Sequence, residues 1–335
     1  METRKVQQTG GSTYIISLPK QWAIKSGITT GTRISLKPQP DGTLLINPVD
    51  KTPMLTKKII NVSDSNKTEL IRNIIAAYLI GYNVIEFKAD QILSEQKKTI
   101  KELCYKLIGP EIIEESANNL LIQNMATSGD ISLKKGLRRM FLITNSMHQD
   151  AIRALKEKDK DLALDVIQRD DEVDRLFLLI ARQFRLVLRG VQLPNTVTSS
   201  IDEYHDYRMA AGPLERIADH AQKIANVVST DEYEVPHDLI DSIESASNTS
   251  RKIVEMSVDA LFNLDVDLAN QAIDSLKDMR KQIYNLNESF LKLESNSTII
   301  ALRIVADSIN RIGDYGTNIA EIAINLSMVE DINKK

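Results

Sequence analysis

Polar and apolar positions alternate differently in three stretches of the chain, and each stretch predicts a different architecture. In residues 1–48 the alternation has the short period of strands. Arg4 to Gln8 runs into Gly10-Gly11, and Thr13 to Leu18 runs into Pro19. Lys20 to Ser26 then reads as a short helix closed by Gly27. Thr32 to Lys37 and Thr43 to Asn47 alternate about Asp41-Gly42, a hairpin signal. Four short strands and one helical turn cannot bury an adequate core alone. This segment is therefore expected to dimerise by sharing strands between chains.

Residues 49–130 alternate strand and helix patterns. Lys57 to Val62 is strand-like, and Asp64 or Ser65 is the expected cap of a helix that ends at Gly81. Asn83 to Lys88 is a second strand, and Ser94 caps a second helix closed by Gly109-Pro110. Glu111 to Glu115 and Leu120 to Met125 form a hairpin about Asn118-Asn119. The order β-α-β-α-β-β predicts a small α+β layer with its helices on one face. Cys104 falls among apolar neighbours on the second helix, where an inert core thiol is the expected reading.

From Ile131 to the end, strand signals vanish and apolar residues recur at helical spacing. Breaks near Lys158–Lys160, Gly190–Pro194, Ser229–Pro236, Leu264–Asp265 and Glu294–Ser297 divide this stretch into six long helices, an antiparallel bundle. The bundle repeats itself. Ala154 through Asp174 aligns without gaps on Ala260 through Arg280, with 7 identities in 21 positions, at an offset of 106. Arg216-Ile-Ala-Asp219 matches Arg311-Ile-Gly-Asp314 at an offset of 95. Eleven extra residues are thus expected in the first half, around Val191 to Val197. Two three-helix halves, about 131–229 and 237–328, are the economical reading. The fold class is a multidomain α+β chain: strand-rich head 1–48, connecting layer 49–130, helical bundle 131–335.

Composition narrows the class without naming a chemistry. The chain is 42% hydrophobic and 26% charged, as in a globular protein. A single cysteine excludes a disulfide framework and a cysteine zinc site. No apolar leader and no run of membrane-spanning length is visible, so an intracellular, cytoplasmic protein without membrane insertion is expected. Charge is divided unequally. The head carries six basic residues against Glu2 and Asp41, whereas the bundle is acidic by about nine charges. A basic head on an acidic body points to an anionic partner such as nucleic acid.

The bundle's carboxylates are spaced four apart: Asp170 with Asp174, Glu215 with Asp219, and Asn310 with Asp314 at the matched place in the second half. That spacing puts both side chains on one helix face, where like charges repel unless a cation sits between them. Two pairs on adjacent helices would offer several oxygens to a hard cation such as Mg²⁺, Mn²⁺ or iron. They can equally be solvated faces, with Arg175, Arg216 and Arg311 as partners. Asp202 and His205 lack a second matching pair, and His148 and His237 stand isolated. His220 reads as a polar surface residue with Asp219 as its neighbour. No phosphate loop, dinucleotide fingerprint or nucleophile elbow occurs, so no enzyme activity is expected.

Glu215-Arg-Ile-Ala-Asp-His-Ala221 and Arg311-Ile-Gly-Asp-Tyr-Gly-Thr-Asn-Ile-Ala-Glu321 resemble the helix signature of the PhoU family of phosphate-uptake regulators. The resemblance covers about 131–328. It implies two tandem three-helix bundles, metal sites at (Glu/Asp)-x-x-x-Asp motifs, and restraint of phosphate transport or phosphate signalling. Carried over by position, the candidate metal ligands are Asp170, Asp174, Glu215, Asp219 and Asp314. The second half departs from the pattern: Asn310 replaces Glu, and Leu276 and Arg280 stand opposite Asp170 and Asp174. One competent metal site is therefore expected, with Arg280 as a positive partner for Asp314.

Gly11-Ser-Thr-Tyr-Ile-Ile-Ser-Leu-Pro19-Lys20-x-Trp22, then Gly27-Ile-Thr-Thr-Gly31-Thr-x-Ile34 and Asp41-Gly42, resemble the AbrB/SpoVT swapped-hairpin domain. This second resemblance implies an interlocked dimeric β-barrel that presents basic residues to duplex DNA, with Trp22 in its core. Arg4 and Lys5 are the leading DNA contacts, with Lys20 and Lys25 beside them and Ser12 and Thr13 as phosphate donors. Together the features predict a homodimeric transcriptional regulator of phosphate homeostasis whose bundle senses a metal, phosphate status or a protein. Two other classes stay open. One is an adaptor that docks on a phosphate transporter ATPase or sensor kinase, its head serving dimerisation only. The other is a metal-dependent hydrolase or oxidase built on the bundle carboxylates.

Overall fold

The structure is a computed structural model that describes residues 2–38, 42–48, 56–126, 132–189, 201–230 and 235–333. The expected turn residue Asp41, the boundaries at 49 and 130–131, and the extra residues at 191–197 lie outside that set. The chain divides into two compact units, Met1–Met54 and Leu55–Lys335.

In the first unit, β1 (Gln7–Thr9) pairs antiparallel with β2 (Thr13–Ile15). Gly10 and Gly11 between them have φ of 63° and 80°, a left-handed geometry that side chains resist. α1 (Lys20–Lys25) follows Pro19, and Gly27 closes it at φ 69°. β3 (Ile34–Pro38) pairs antiparallel with β4 (Leu44–Pro48). The two hairpins form separate two-stranded sheets. No described side chain in this unit is buried. Trp22, expected in a core, is half-buried, while Tyr14 and Ile24 are 72% and 68% exposed. Two-stranded ribbons of this size are marginal by themselves. Among its described residues the unit has strands and a helix but no core of its own.

The second unit opens with the α+β layer: β5 (Lys57–Asn61), α2 (Lys67–Ile80), β6 (Val84–Lys88), α3 (Ser94–Tyr105), β7 (Pro110–Glu115) and β8 (Asn119–Asn124). Strand order is β5-β6-β8-β7, with β5 parallel to β6 and the other pairs antiparallel. Central β6 is buried from Val84 to Phe87. Its Glu86 is neutralised by Lys57 and Lys88 at 3.1 and 3.2 Å.

Two expected caps move. α2 is capped by Asn66, whose side chain accepts the Glu69 N–H at 2.9 Å, because it immediately precedes the helix where Asp64 and Ser65 do not. α3 begins at Ser94, and it is Gln96 that secures its start. The Gln96 amide oxygen accepts the Leu93 N–H, and its amide nitrogen donates to the Val62 carbonyl at 2.7 Å.

Six long helices follow: α4 (Leu133–Glu157), α5 (Lys160–Leu188), α6 (Ile201–Thr230), α7 (His237–Asn263), α8 (Val266–Phe290) and α9 (Asn296–Asn333). The duplication is visible in the backbone. Lys158 and Leu264 are the described non-glycine residues with positive φ, at 56° and 58°. The next residues, Asp159 and Asp265, each cap the following helix through a 2.9 Å bond. Gly313 and Gly316 let α9 press on its neighbours. A methyl group at Gly313 would overlap the Met279 thioether, and one at Gly316 would stand 3.0–3.2 Å from Val254 and Ile253.

The α+β layer rests on α5. Arg182, 4% exposed, donates to the carbonyls of Tyr78 and Tyr82 and stacks 4.9 Å from the centre of the Tyr78 ring. Arg189 donates to the Ile80 carbonyl at 2.6 Å. Both cations thus serve the C-terminal carbonyls of α2, where the helix dipole is negative. Replacing Arg182 by Met keeps the stem but removes both donors; the Tyr78 carbonyl keeps the Gly81 N–H, and the half-buried Tyr82 carbonyl loses its Arg182 partner. A loss of about 1–3 kcal/mol is expected, read as faster amide exchange in α2.

Candidate functional site

Asp170 and Asp174 project from α5, and Glu215 and Asp219 from α6, the adjacent helix of the same half. Asp174 reaches the surface, while the other three are half-buried. All four carboxyls are pushed above their ordinary range. Burial raises Asp170 most, the charges of Asp174, Asp219, Asp171 and Glu215 add to it, and its pKa reaches about 7. Burial also leads for Asp174 and Glu215, followed for each by Asp219. Asp219 is raised by burial and held back by Lys223 and Arg216. Gln222 donates to Asp170 at 2.8 Å.

The arrangement is a patch of oxygen donors that repel one another. Among the described residues no three His, Cys, Asp or Glu groups converge on one ion position. Each donor is a carboxylate oxygen, the type a hard cation takes; burial leads every upward shift, and mutual repulsion adds to it for Asp170, Asp174 and Glu215.

The second half forms a different contact. Arg280 donates to Asp314 at 2.9 Å, and Asn310 donates to the other Asp314 oxygen at 3.3 Å. Asp314, placed among the candidate metal ligands by its motif, thus has both oxygens engaged by protein donors. Leu276 and Arg280, opposite Asp170 and Asp174, supply no carboxylate.

The histidines resolve differently from expectation. His220 is not a surface residue: it is 8% exposed and stacks on Tyr315, with ring centres 5.8 Å apart. Burial lowers its pKa to about 4. Residues 220 and 315 are related by the same offset of 95 as the signature motifs, so the two halves meet there ring to ring. Pattern reasoning misses this because it considers each helix face separately. His148 is buried and shares a 2.9 Å hydrogen bond with Ser247. His205 bonds Asp206 at 3.1 Å instead of joining Asp202. Burial pushes the Cys104 thiol up to about 11, and it packs against the α+β core.

In the head, Lys5, Ser12, Thr13, Lys20 and Lys25 are all exposed, and Arg4 is paired with Glu2. The Gln8 side chain ties the β1–β2 turn by donating to the Gly11 carbonyl at 2.8 Å.

A duplicated three-helix bundle with carboxylate pairs on adjacent helices, preceded in sequence by an α+β layer and a two-hairpin head, defines a class of modular α+β protein with a tandem helical bundle. The model of the PhoU domain matches residues 137–228 and 243–323, more than half of the sequence. The chain belongs to the PhoU family. Its head is of the MazE/AbrB swapped-hairpin type: the model described as "Antidote-toxin recognition MazE, bacterial antitoxin" matches residues 7–53. PhoU regulators and MazE-type domains are non-enzymatic.

A phosphate-specific transport system accessory protein PhoU homolog of Clostridium acetobutylicum is 26% identical over 207 residues, covering 58% of this chain and 90% of the relative. PhoU homolog 1 of Thermotoga maritima is 24% identical, covering 57% and 84%. The crystal structure of PhoU from Pseudomonas aeruginosa superposes with a TM-score of 0.52 at 23% identity, covering 59% of this chain and 96% of that one. The solved structure supports the fold.

The raised carboxyl pKa values have a definite consequence for stability. Asp170 binds its proton more tightly folded than unfolded, so between about pH 4 and 7 the folded state holds more protons. Stability of the ion-free protein therefore falls as pH rises through that window. Asp170→Asn should flatten the dependence and raise Tm at pH 7.5, in chelator, by about 2–4 °C, the shift that about 1 kcal/mol gives in domains of this size. Calorimetric scans from pH 4 to 8 measure it.

Proposed function

We propose that this chain is a homodimeric, DNA-binding regulator of phosphate uptake whose PhoU bundle receives the signal through a hard cation. The observation that carries the proposal is the union in one chain of a MazE/AbrB-type head with a tandem PhoU bundle. The names of the relatives supply the phosphate-transport context. The exposed Tyr14, Ile15, Ile24, Leu36 and Leu44 of the head support dimerisation, since apolar surface left open in one chain finds cover in a second.

Duplicated by the dimer, the head offers twelve Lys and Arg residues. Arg4, Lys5, Lys20 and Lys25 would neutralise DNA phosphates, and Ser12 and Thr13 would donate to phosphate oxygens. Asp170, Asp174, Glu215 and Asp219 would hold the cation. A bound cation supplies positive charge that lets these carboxylates ionise together and ties α5 to α6. Asp314 stays with Arg280. The input regulates DNA binding only if it favours one arrangement of the heads over another.

A second reading follows from the relatives' description as transport-system accessory proteins: the bundle docks on a phosphate transporter ATPase or sensor protein, and the head only dimerises. Promoter binding separates the two. Full-length protein titrated with a duplex from upstream of its own gene is expected to bind with a steep salt dependence. Arg4→Ala combined with Lys5→Ala should weaken binding and lower the salt slope by about 0.9 for each phosphate that is no longer neutralised. No binding at low salt supports the adaptor. An unchanged slope in the double variant removes Arg4 and Lys5 from the interface.

A further inference from the structure

Between α2 and α3 of the layer and α5 of the bundle lies a cleft of 340 Å³, within the size range of small-molecule sites. Ile71 and Ile75 of α2, Leu103 of α3 and Leu178 of α5 form its apolar wall. Ile71, Ile75 and Leu178 pack on the core of the layer yet stay only half covered, which leaves apolar surface open at the junction. Such surface gains free energy when a further apolar group covers it. Exposed charges border the wall, and they do not cancel: Glu102, Asp171 and Asp174 stand there with one cation, Lys106. Lys106 is committed to Asp171 at 2.9 Å, and Lys98, from outside the cleft, lies 3.9 Å from Glu102. Among the described residues Asp174 has no hydrogen bond and no ion pair.

We infer that this cleft is an effector site for a small molecule with an apolar body and an ammonium head, the body covering Ile71, Ile75, Leu103 and Leu178 and the head pairing with Asp174. Volume and apolar wall set the body, and the one unanswered carboxylate at the border sets the sign of the head. The same surplus of negative charge works against an anionic molecule of equal shape. Only one of the four α5–α6 carboxylates takes part, and no metal ion is required. A molecule seated here touches α2, α3 and α5 together. It binds the docked arrangement of the layer and not a separated one, so its occupancy stabilises the seat on α5. The junction between layer and bundle thereby becomes responsive to a soluble amine.

The test titrates phenethylamine into the full chain, with phenethyl alcohol and phenylacetate as neutral and anionic counterparts of similar size. Affinity is read by ligand-observed NMR, and the seat by amide exchange in α2 and α3. The amine is expected to bind with a Kd of about 1 mM, as befits so few atoms, and to slow exchange in both helices. Its affinity should exceed that of the alcohol by about fivefold, the upper range for one exposed ion pair, with the carboxylate weaker still. Ile71→Trp, which fills the cleft from a half-buried position, should abolish binding. Asp174→Asn, an exposed change that needs no repacking, should lower the amine to the affinity of the alcohol. Equal affinities for the three probes would overturn the ammonium head, and amine binding that survives Ile71→Trp would overturn the cleft. Absence of binding by all three would overturn the site altogether.

Discussion

The structure turns on one helix that carries charges of both signs for different purposes. α5 presents Asp170 and Asp174 to α6, and two to three turns further on it sends Arg182 into the end of α2. A buried guanidinium is tolerated only where its donors are answered, and the α2 carbonyls answer them. Desolvation weighs on Arg182 in the opposite sense to the carboxylates: it lowers the cation's pKa. Once that contact is made, the α+β layer has a fixed seat on the same rod that holds the acidic patch. Asp174 and the residues that the layer grips therefore lie on one continuous helix.

Much of this organisation is legible in the sequence, and for physical reasons. The six helices follow from helical spacing and breaks, and the duplication from a gapless alignment. Asp159 and Asp265 show why that alignment is structural: each is the cap that restarts the chain after a left-handed residue, so the pair marks one turn built twice. The β-α-β-α-β-β order is equally readable, because β6 is a largely apolar run and its neighbours are bounded by glycine and asparagine turns. The partnership of Arg280 with Asp314 follows from asking what replaces Asp174 in the second half.

What stays hidden depends on contacts between distant segments. Arg182 sits in the apolar run Leu178-Leu-Ile-Ala-Arg182, where a buried charge signals a partner but not which one. Lys106 and Asp171 are 65 residues apart, and nothing local joins them. His220 reads as polar surface because its neighbours Asp219 and Lys223 are charged. Its ring is covered by Tyr315 of the other half, which helix periodicity within α6 does not reveal. The cap of α2 falls one or two residues beyond its expected place, since Asp64, Ser65 and Asn66 all have suitable side chains and only backbone geometry selects Asn66.

The two halves of the bundle differ at the positions of the acidic pair and of the seat. At the offset of 106, Asp170 and Asp174 face Leu276 and Arg280, while Leu178 and Arg182 correspond to Tyr284 and Glu288. The second half therefore lacks the repelling carboxylates of α5 and also the guanidinium that seats a layer. Tyr284, at the place of Leu178, is 65% exposed, as expected for a position with no layer to cover it. The acidic pair and the seat thus occur together on α5 and are both missing at the corresponding positions of α8. In this chain, then, the first half carries both the carboxylate cluster and the seat of the α+β layer on one helix, and the corresponding positions of α8 carry neither.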